Sequence, residues 1–127
     1  MIILKRLTAE QVHTTIARGE FDQDVIAPER NVAVVMTQSW CGQWLFMRLW
    51  IDKEARAAAG DGQPVIDVFV LEYDREPFFA EFLAFKEQRF GNTYVPYIRF
   101  YRNGRLVQET NYVSKSAFYG VFRDATP

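Results

Sequence analysis

The chain has 127 residues, 49% hydrophobic and 16% aromatic, with 15 basic against 16 acidic residues for a formal charge of -1. That composition suits a globular fold with one core, and the near-neutral balance excludes the strong field that gathers nucleic acid or anionic lipid. Apolar runs such as Val32-Ala33-Val34-Val35-Met36 fall far short of the roughly 20 residues that cross a bilayer. Met1 to Arg6 holds too few apolar residues for a secretory core. With one cysteine and one histidine, the chain has no internal disulfide and no complete four-ligand zinc site. The expectation is a single cytoplasmic domain over residues 1–127, without metal or cofactor.

Thr8-Ala9-Glu10-Gln11 reads as a capping box and starts a helix to about Gly19, with Val12 and Ile16 on its inner face. His13 lies beside that stripe as an exposed or packed side chain, not a catalytic one. Asn31 to Thr37 is apolar without alternation and rich in β-branched residues, the pattern of a strand covered on both faces. After Cys41, Leu45, Leu49 and Lys53 fall at i+4 steps beside Phe46 and Trp50, and Ala55 to Ala59 extend the helical composition. Ala59-Gly60-Asp61-Gly62-Gln63-Pro64 stops that helix and lacks the lysine and hydroxyl of a phosphate cradle.

Val65 to Tyr73 returns to strand character, and Asp74-Arg75-Glu76-Pro77 offers a helix start. Phe78, Phe79, Phe82, Leu83 and Phe90 then recur at helical spacing as core. Ile98 to Tyr101, the turn Arg102-Asn103-Gly104-Arg105 and Leu106 to Thr110 predict a β-hairpin, because Asn-Gly accepts the positive φ of a tight turn. Arg99, Arg102 and Arg105, with Phe100 and Tyr101 between them, read as the solvated rim of that hairpin and not as a stacking surface for single strands. Glu72 and Asp74 read as a solvated strand end. Ser114 caps a last helix through Phe118, Val121 and Phe122.

Ser39-Trp40-Cys41-Gly42-Gln43-Trp44 follows the first predicted strand and opens a helix, and it resembles the active-site turn of thioredoxins, W-C-G-P-C. Val95-Pro96-Tyr97-Ile98-Arg99-Phe100-Tyr101-Arg102-Asn103-Gly104 is similar to that family's segment of cis-proline, strand and N-G turn. Asp74 is similar to the acidic residue after its third strand. The resemblance implies a thioredoxin-like α/β three-layer sandwich, a central mixed sheet flanked by helices, with a terminal β-hairpin and a C-terminal helix. Three departures bear on chemistry: Trp44 stands where the family has its resolving cysteine, Gln43 stands for the proline between the cysteines, and Val35 for a buried aspartate. A two-thiol cycle is therefore not available.

At the first turn of a helix, unpaired amides and the positive dipole end favour thiolate over thiol, so Cys41 is the candidate nucleophile. Thiolate attack on a protein or peptide disulfide leaves a mixed disulfide that an external thiol, with glutathione as the candidate, must release. The resemblance places substrate between Trp40 and the Val95–Pro96 segment, with Gly42, Trp44 and Tyr97 at its border. The rival reading is a non-catalytic thioredoxin-fold module whose groove near Trp40, Val95 and Tyr97 holds a protein segment. A monothiol-glutaredoxin reading, prompted by Thr93-Tyr94-Val95-Pro96, ranks below both, because the glycine pair and aspartate that hold glutathione are missing.

Overall fold

A computed structural model of the chain describes residues 1–57 and 63–123. Ten elements follow one another: β1 (Ile2–Lys5), α1 (Ala9–Arg18), β2 (Asn31–Thr37), α2 (Gly42–Arg56), β3 (Ile66–Glu72), a 3-10 turn (Tyr73–Arg75), α3 (Phe79–Gln88), β4 (Tyr97–Arg102), β5 (Arg105–Thr110) and α4 (Lys115–Arg123). The sheet order is β1-β3-β2-β4-β5. β3 runs parallel to both β1 and β2, whereas β4 is antiparallel to β2 and β5 to β4.

β2 is central because it can be buried on both sides. Ala33 and Val35 pack toward Met47, Ile51 and Phe118 of α2 and α4, while Val32, Val34 and Met36 pack toward Val12 of α1 and Phe82 and Phe85 of α3. The sheet thus separates two apolar layers, as a strand of continuous β-branched residues requires. Parity along β4 carries the same division: Ile98 and Phe100 face the α2 and α4 layer, Tyr97 and Tyr101 the α1 and α3 layer.

The local signals are made as the sequence lays them down. Thr8 and Gln11 form the reciprocal capping box of α1, and Gly19 ends it with φ 87°. Asn103 and Gly104 take the positive φ values, 55° and 72°, that the hairpin turn requires. Ser114 Oγ accepts the Ala117 N–H at 3.2 Å at the start of α4.

Several expectations need correction. β1 is additional: its apolar residues pair with β3 along the sheet edge. α3 begins at Phe79, after a 3-10 turn takes up Tyr73 to Arg75. The buried face of α2 is Trp44, Met47 and Ile51, so the i+4 row of Leu45 and Leu49 faces outward. Ala55 and Arg56 complete the described helix; the proposed extension and stop over residues 58–62 lie outside the described residues.

Arg99 is buried, not part of a solvated rim. Its guanidinium donates to the hydroxyls of Tyr101 (2.7 Å) and Tyr97 (2.8 Å) and to Glu20 Oε2 (2.8 Å), and it stacks 4.0 Å from the Phe90 ring centre. Phe100 and Tyr101 are likewise buried, which removes them as a stacking surface. At the other end of the sheet, buried Asp67 on β3 receives two bonds from Arg30 (2.9 and 2.6 Å) and one from Lys5 (3.1 Å). No helix among the described residues is long and apolar enough to cross a membrane.

Candidate functional site

β2 delivers the chain to a turn at its carboxyl end, where open α/β sheets place their sites. The Cys41 N–H donates to the Gln38 carbonyl at 3.1 Å and closes that turn. Asp74, in the 3-10 turn after β3, accepts the Ser39 N–H at 2.8 Å and the Ser39 hydroxyl at 2.6 Å. Burial pushes the Asp74 carboxyl up, but the two Ser39 donors, the Asp74 backbone N–H and the Arg75 charge together hold the group below its ordinary value. Asp74 is therefore a brace for the turn, not a solvated strand end. Trp40 is left outside, 66% exposed, with its indole N–H on Gln38 Oε1 at 2.6 Å.

Cys41 is the N-cap residue of α2 and makes no side-chain capping bond to the first-turn amides. It is 6% exposed, and its Sγ donates to the Val95 carbonyl at 3.6 Å. Only the protonated thiol can donate there; a sulfur anion would face the lone pairs of an oxygen. Val35 is fully buried and belongs to the same apolar cluster as Cys41 and Trp44.

The Val95–Pro96 peptide bond is cis. Two side chains from different elements hold this segment. Lys86 of α3, itself fully buried, donates from Nζ to the carbonyls of Asn92 (2.9 Å) and Tyr94 (2.7 Å) and lies 5.6 Å from the Tyr97 ring centre. Burial lowers the pKa of this ammonium from 10.5 to about 8. Asn111, between β5 and α4, donates to the Pro96 carbonyl at 2.9 Å and forms a reciprocal amide pair with Asn92. Tyr94 is pushed outward and is 72% exposed. Two exposed rings, Trp40 and Tyr94, therefore each stand one residue from an end of the Cys41–Val95 contact.

The structure brings together Trp40, Cys41, Gly42, Val95 and Pro96; Gly42 is exposed with open space about its α-carbon. It does not bring Trp44 or Tyr97 to that surface. Trp44 points into the α2 layer, its indole N–H on Glu72 Oε2 at 2.7 Å, and Arg48 and Arg75 approach the same carboxylate at 3.8 and 3.4 Å. Glu72 is thus partnered as well, contrary to the reading of a solvated terminus. Tyr97 lies across the sheet, its hydroxyl donating to Glu109 at 2.6 Å, so its bulk does not narrow the groove.

Tyr94, Lys86 and Asn111 are neighbours of the candidate site that the sequence reading missed. Lys86 carried a visible signal: it falls between Phe82 and Phe90 at i+4 steps, a single cation in an aromatic stripe. Among the described residues no three histidine, cysteine, aspartate or glutamate side chains converge on a metal-sized site. His13 is exposed, 3.3 Å from Glu81 and edge-on to Phe78.

No family model matches the chain. No curated protein matches it either. Solved structures do. Thioredoxin O1 of Arabidopsis thaliana in its oxidised state is 15% identical, with a TM-score of 0.60 over 95% of this chain and 94% of that one. The short form of spinach chloroplast thioredoxin f is 16% identical, with a TM-score of 0.61 over 95% and 91%. Malassezia sympodialis thioredoxin is 18% identical, with a TM-score of 0.55 over 82% and 83%. The chain has the thioredoxin fold: a five-stranded mixed sheet with helices on both faces, a terminal hairpin and a C-terminal helix.

Proposed function

We propose that this chain is a non-catalytic thioredoxin-fold binding module that takes an extended protein segment between Trp40 and the Tyr94–Val95 edge. The single observation that supports it is the sulfur: Cys41 is 6% exposed and donates to the Val95 carbonyl. Thiol-disulfide exchange needs a thiolate that reaches its target in line, and a covered thiol spent on a carbonyl does not supply one. The exposed rings of Trp40 and Tyr94 offer the amphipathic contact area that recognition surfaces favour. The Val95 carbonyl is taken by Cys41, but the Val95 N–H has no hydrogen-bond partner among the described residues and gives a peptide main chain something to pair with. A reducing compartment such as the cytoplasm suits a chain with one unpaired thiol.

A second reading rests on one specific feature. Cys41 sits at the mouth of the 15-residue helix α2 and leaves its first-turn amides without a side-chain partner. Displaced from Val95, the sulfur would meet those amides as an anion. It would then attack one sulfur of a protein disulfide, forming a mixed disulfide and expelling the other sulfur as thiolate, and a small thiol such as glutathione would attack the mixed disulfide to free Cys41.

One pair of measurements separates the two. For the binding module, iodoacetamide at pH 7 alkylates Cys41 in the folded protein at least tenfold more slowly than in the urea-unfolded chain. A photo-crosslinker placed at Trp40 captures the same protein segments before and after Cys41→Ser. Alkylation faster than that of the unfolded chain, or loss of every capture on Cys41→Ser, sinks the module and leaves the single-thiol exchange.

A further inference from the structure

α2 buries Trp44, Met47 and Ile51 and turns its opposite side to water. On that side Phe46 is 70% and Leu49 71% exposed, with Leu45 beside them and Trp40 just before the helix. Single exposed apolar side chains are ordinary; three on one helix face, Leu45, Phe46 and Leu49, form the kind of apolar patch that marks an interaction surface. The row Leu45-Leu49-Lys53 runs at i+4 steps, the ridge that helices use to pack against other helices.

The charge on this face has one sign at one end. Lys53 and Arg56 are exposed and have no ion pair among the described residues. Arg48 is half engaged by Asp52 at 3.6 Å. Glu54 is drawn away toward α4, accepting from Tyr119 at 2.7 Å and facing Lys115 at 3.6 Å. The face is an apolar ridge that ends in two exposed cations with no ion pair among the described residues.

We infer that this outward face of α2 docks an amphipathic helix of a partner protein, whose apolar stripe covers Leu45, Phe46 and Leu49 and whose carboxylates meet Lys53 and Arg56. Leu45 to Arg56 is eleven steps of about 1.5 Å, so the partner helix needs roughly three to four turns. A second copy of this chain fits poorly. Laid parallel, it brings cations against cations; laid antiparallel about Leu49, it sets Lys53 and Arg56 over apolar side chains, while Asp52 of the same helix faces Arg48. The surface stands apart from the cleft between Trp40 and Val95, sharing only Trp40 with it.

Selection of a displayed library of 16-residue segments on the native protein tests this. Selected segments are expected to carry Leu or Phe at i, i+3 and i+4 spacing with Asp or Glu at one end. Their synthetic forms lose at least tenfold in affinity to the folded double variant Phe46→Asp, Leu49→Asp, and Lys53→Glu with Arg56→Glu shifts the selected preference from acidic to basic ends. Tyr94→Ala, which alters the cleft alone, leaves their affinity unchanged. The inference is overturned if no selected segment depends on Phe46 and Leu49, if the segments show no acidic enrichment, if Tyr94→Ala weakens them equally, or if the native protein sediments as a dimer that Phe46→Asp with Leu49→Asp dissociates.

Discussion

Lys86 occupies a place in α3 that an apolar side chain would fill without electrostatic penalty. Its ammonium is buried, and its partners are carbonyl dipoles of Asn92 and Tyr94 and the face of Tyr97. The nearby charge that favours it is Glu87, which offsets burial only partly, so the group titrates at about 8 against 10.5 for an ordinary lysine. A base with a depressed folded pKa leaves the unfolded chain holding more protons between those values, so stability rises with pH across that window. The gain is on the order of 3 kcal/mol at most. Above pH 10 Tyr97, raised to about 12 by burial and by its bond to Glu109, pulls the other way, since its contribution is lost as pH climbs. The urea midpoint of the native protein should therefore increase from pH 7.5 to 9.5, and that of Lys86→Met should not. The variant also strips the carbonyls of Asn92 and Tyr94 of their donor, at about 1–3 kcal/mol each for a buried acceptor.

At the scale of elements, the Trp44 indole fastens α2 to the end of β3, with Arg48 approaching the same carboxylate. Trp44 fills the layer beneath Cys41 and donates to Glu72 at the end of β3. Trp44→Phe keeps most of the ring and deletes the donor, and should lower stability by about 1–3 kcal/mol in urea titration without shifting the far-ultraviolet spectrum. Packing suits the ring of Trp44 and is realised, but which side of α2 meets the sheet was not legible from spacing, because apolar residues stand on every side of its first turns from Trp44 to Ile51. Strong local signals fared better. The capping box at Thr8 and the Asn103-Gly104 turn encode their conformations within a few residues, and both are realised. β1 went unread because its four residues acquire strand geometry from pairing with β3, some sixty positions away. Tyr97 was placed on the wrong side for want of a parity argument: it shares a face with Arg99 and Tyr101, away from Cys41.

Over the whole molecule, carboxylates join neighbouring elements and set its response to acid. Asp67 is pushed up by burial yet held below its ordinary value by Arg30 and Lys5. Glu54 is lowered by the Tyr119 hydroxyl and then by Lys115, and Asp74 by Ser39. Folded pKa values below the unfolded ones contribute stability that is complete above about pH 5 and is lost as pH falls through them. The midpoint of urea unfolding should be flat from pH 7 to 5 and fall steeply below 4. Asp67→Asn should blunt that fall while costing about 1–3 kcal/mol at pH 7, since it replaces charge-assisted bonds to the half-exposed Arg30 and Lys5 with those of a neutral amide. The fold was legible in the sequence because element order, turn residues and the cysteine-bearing turn agree with one another. The state of the site was not, because a sulfur's cover depends on a carbonyl 54 positions along the chain, held there by Lys86 and Asn111.

The buried indole at position 44 also bears on how this chain can change. A single-nucleotide substitution turns a tryptophan codon into a cysteine codon, so the gene stands one step from encoding a vicinal pair of thiols. In the protein, that step empties a ring-sized volume and strips Glu72 of its hydrogen-bond donor. Mutational access is easy and structural access is not. Any lineage gaining a second sulfur there must first refill that space from neighbouring side chains.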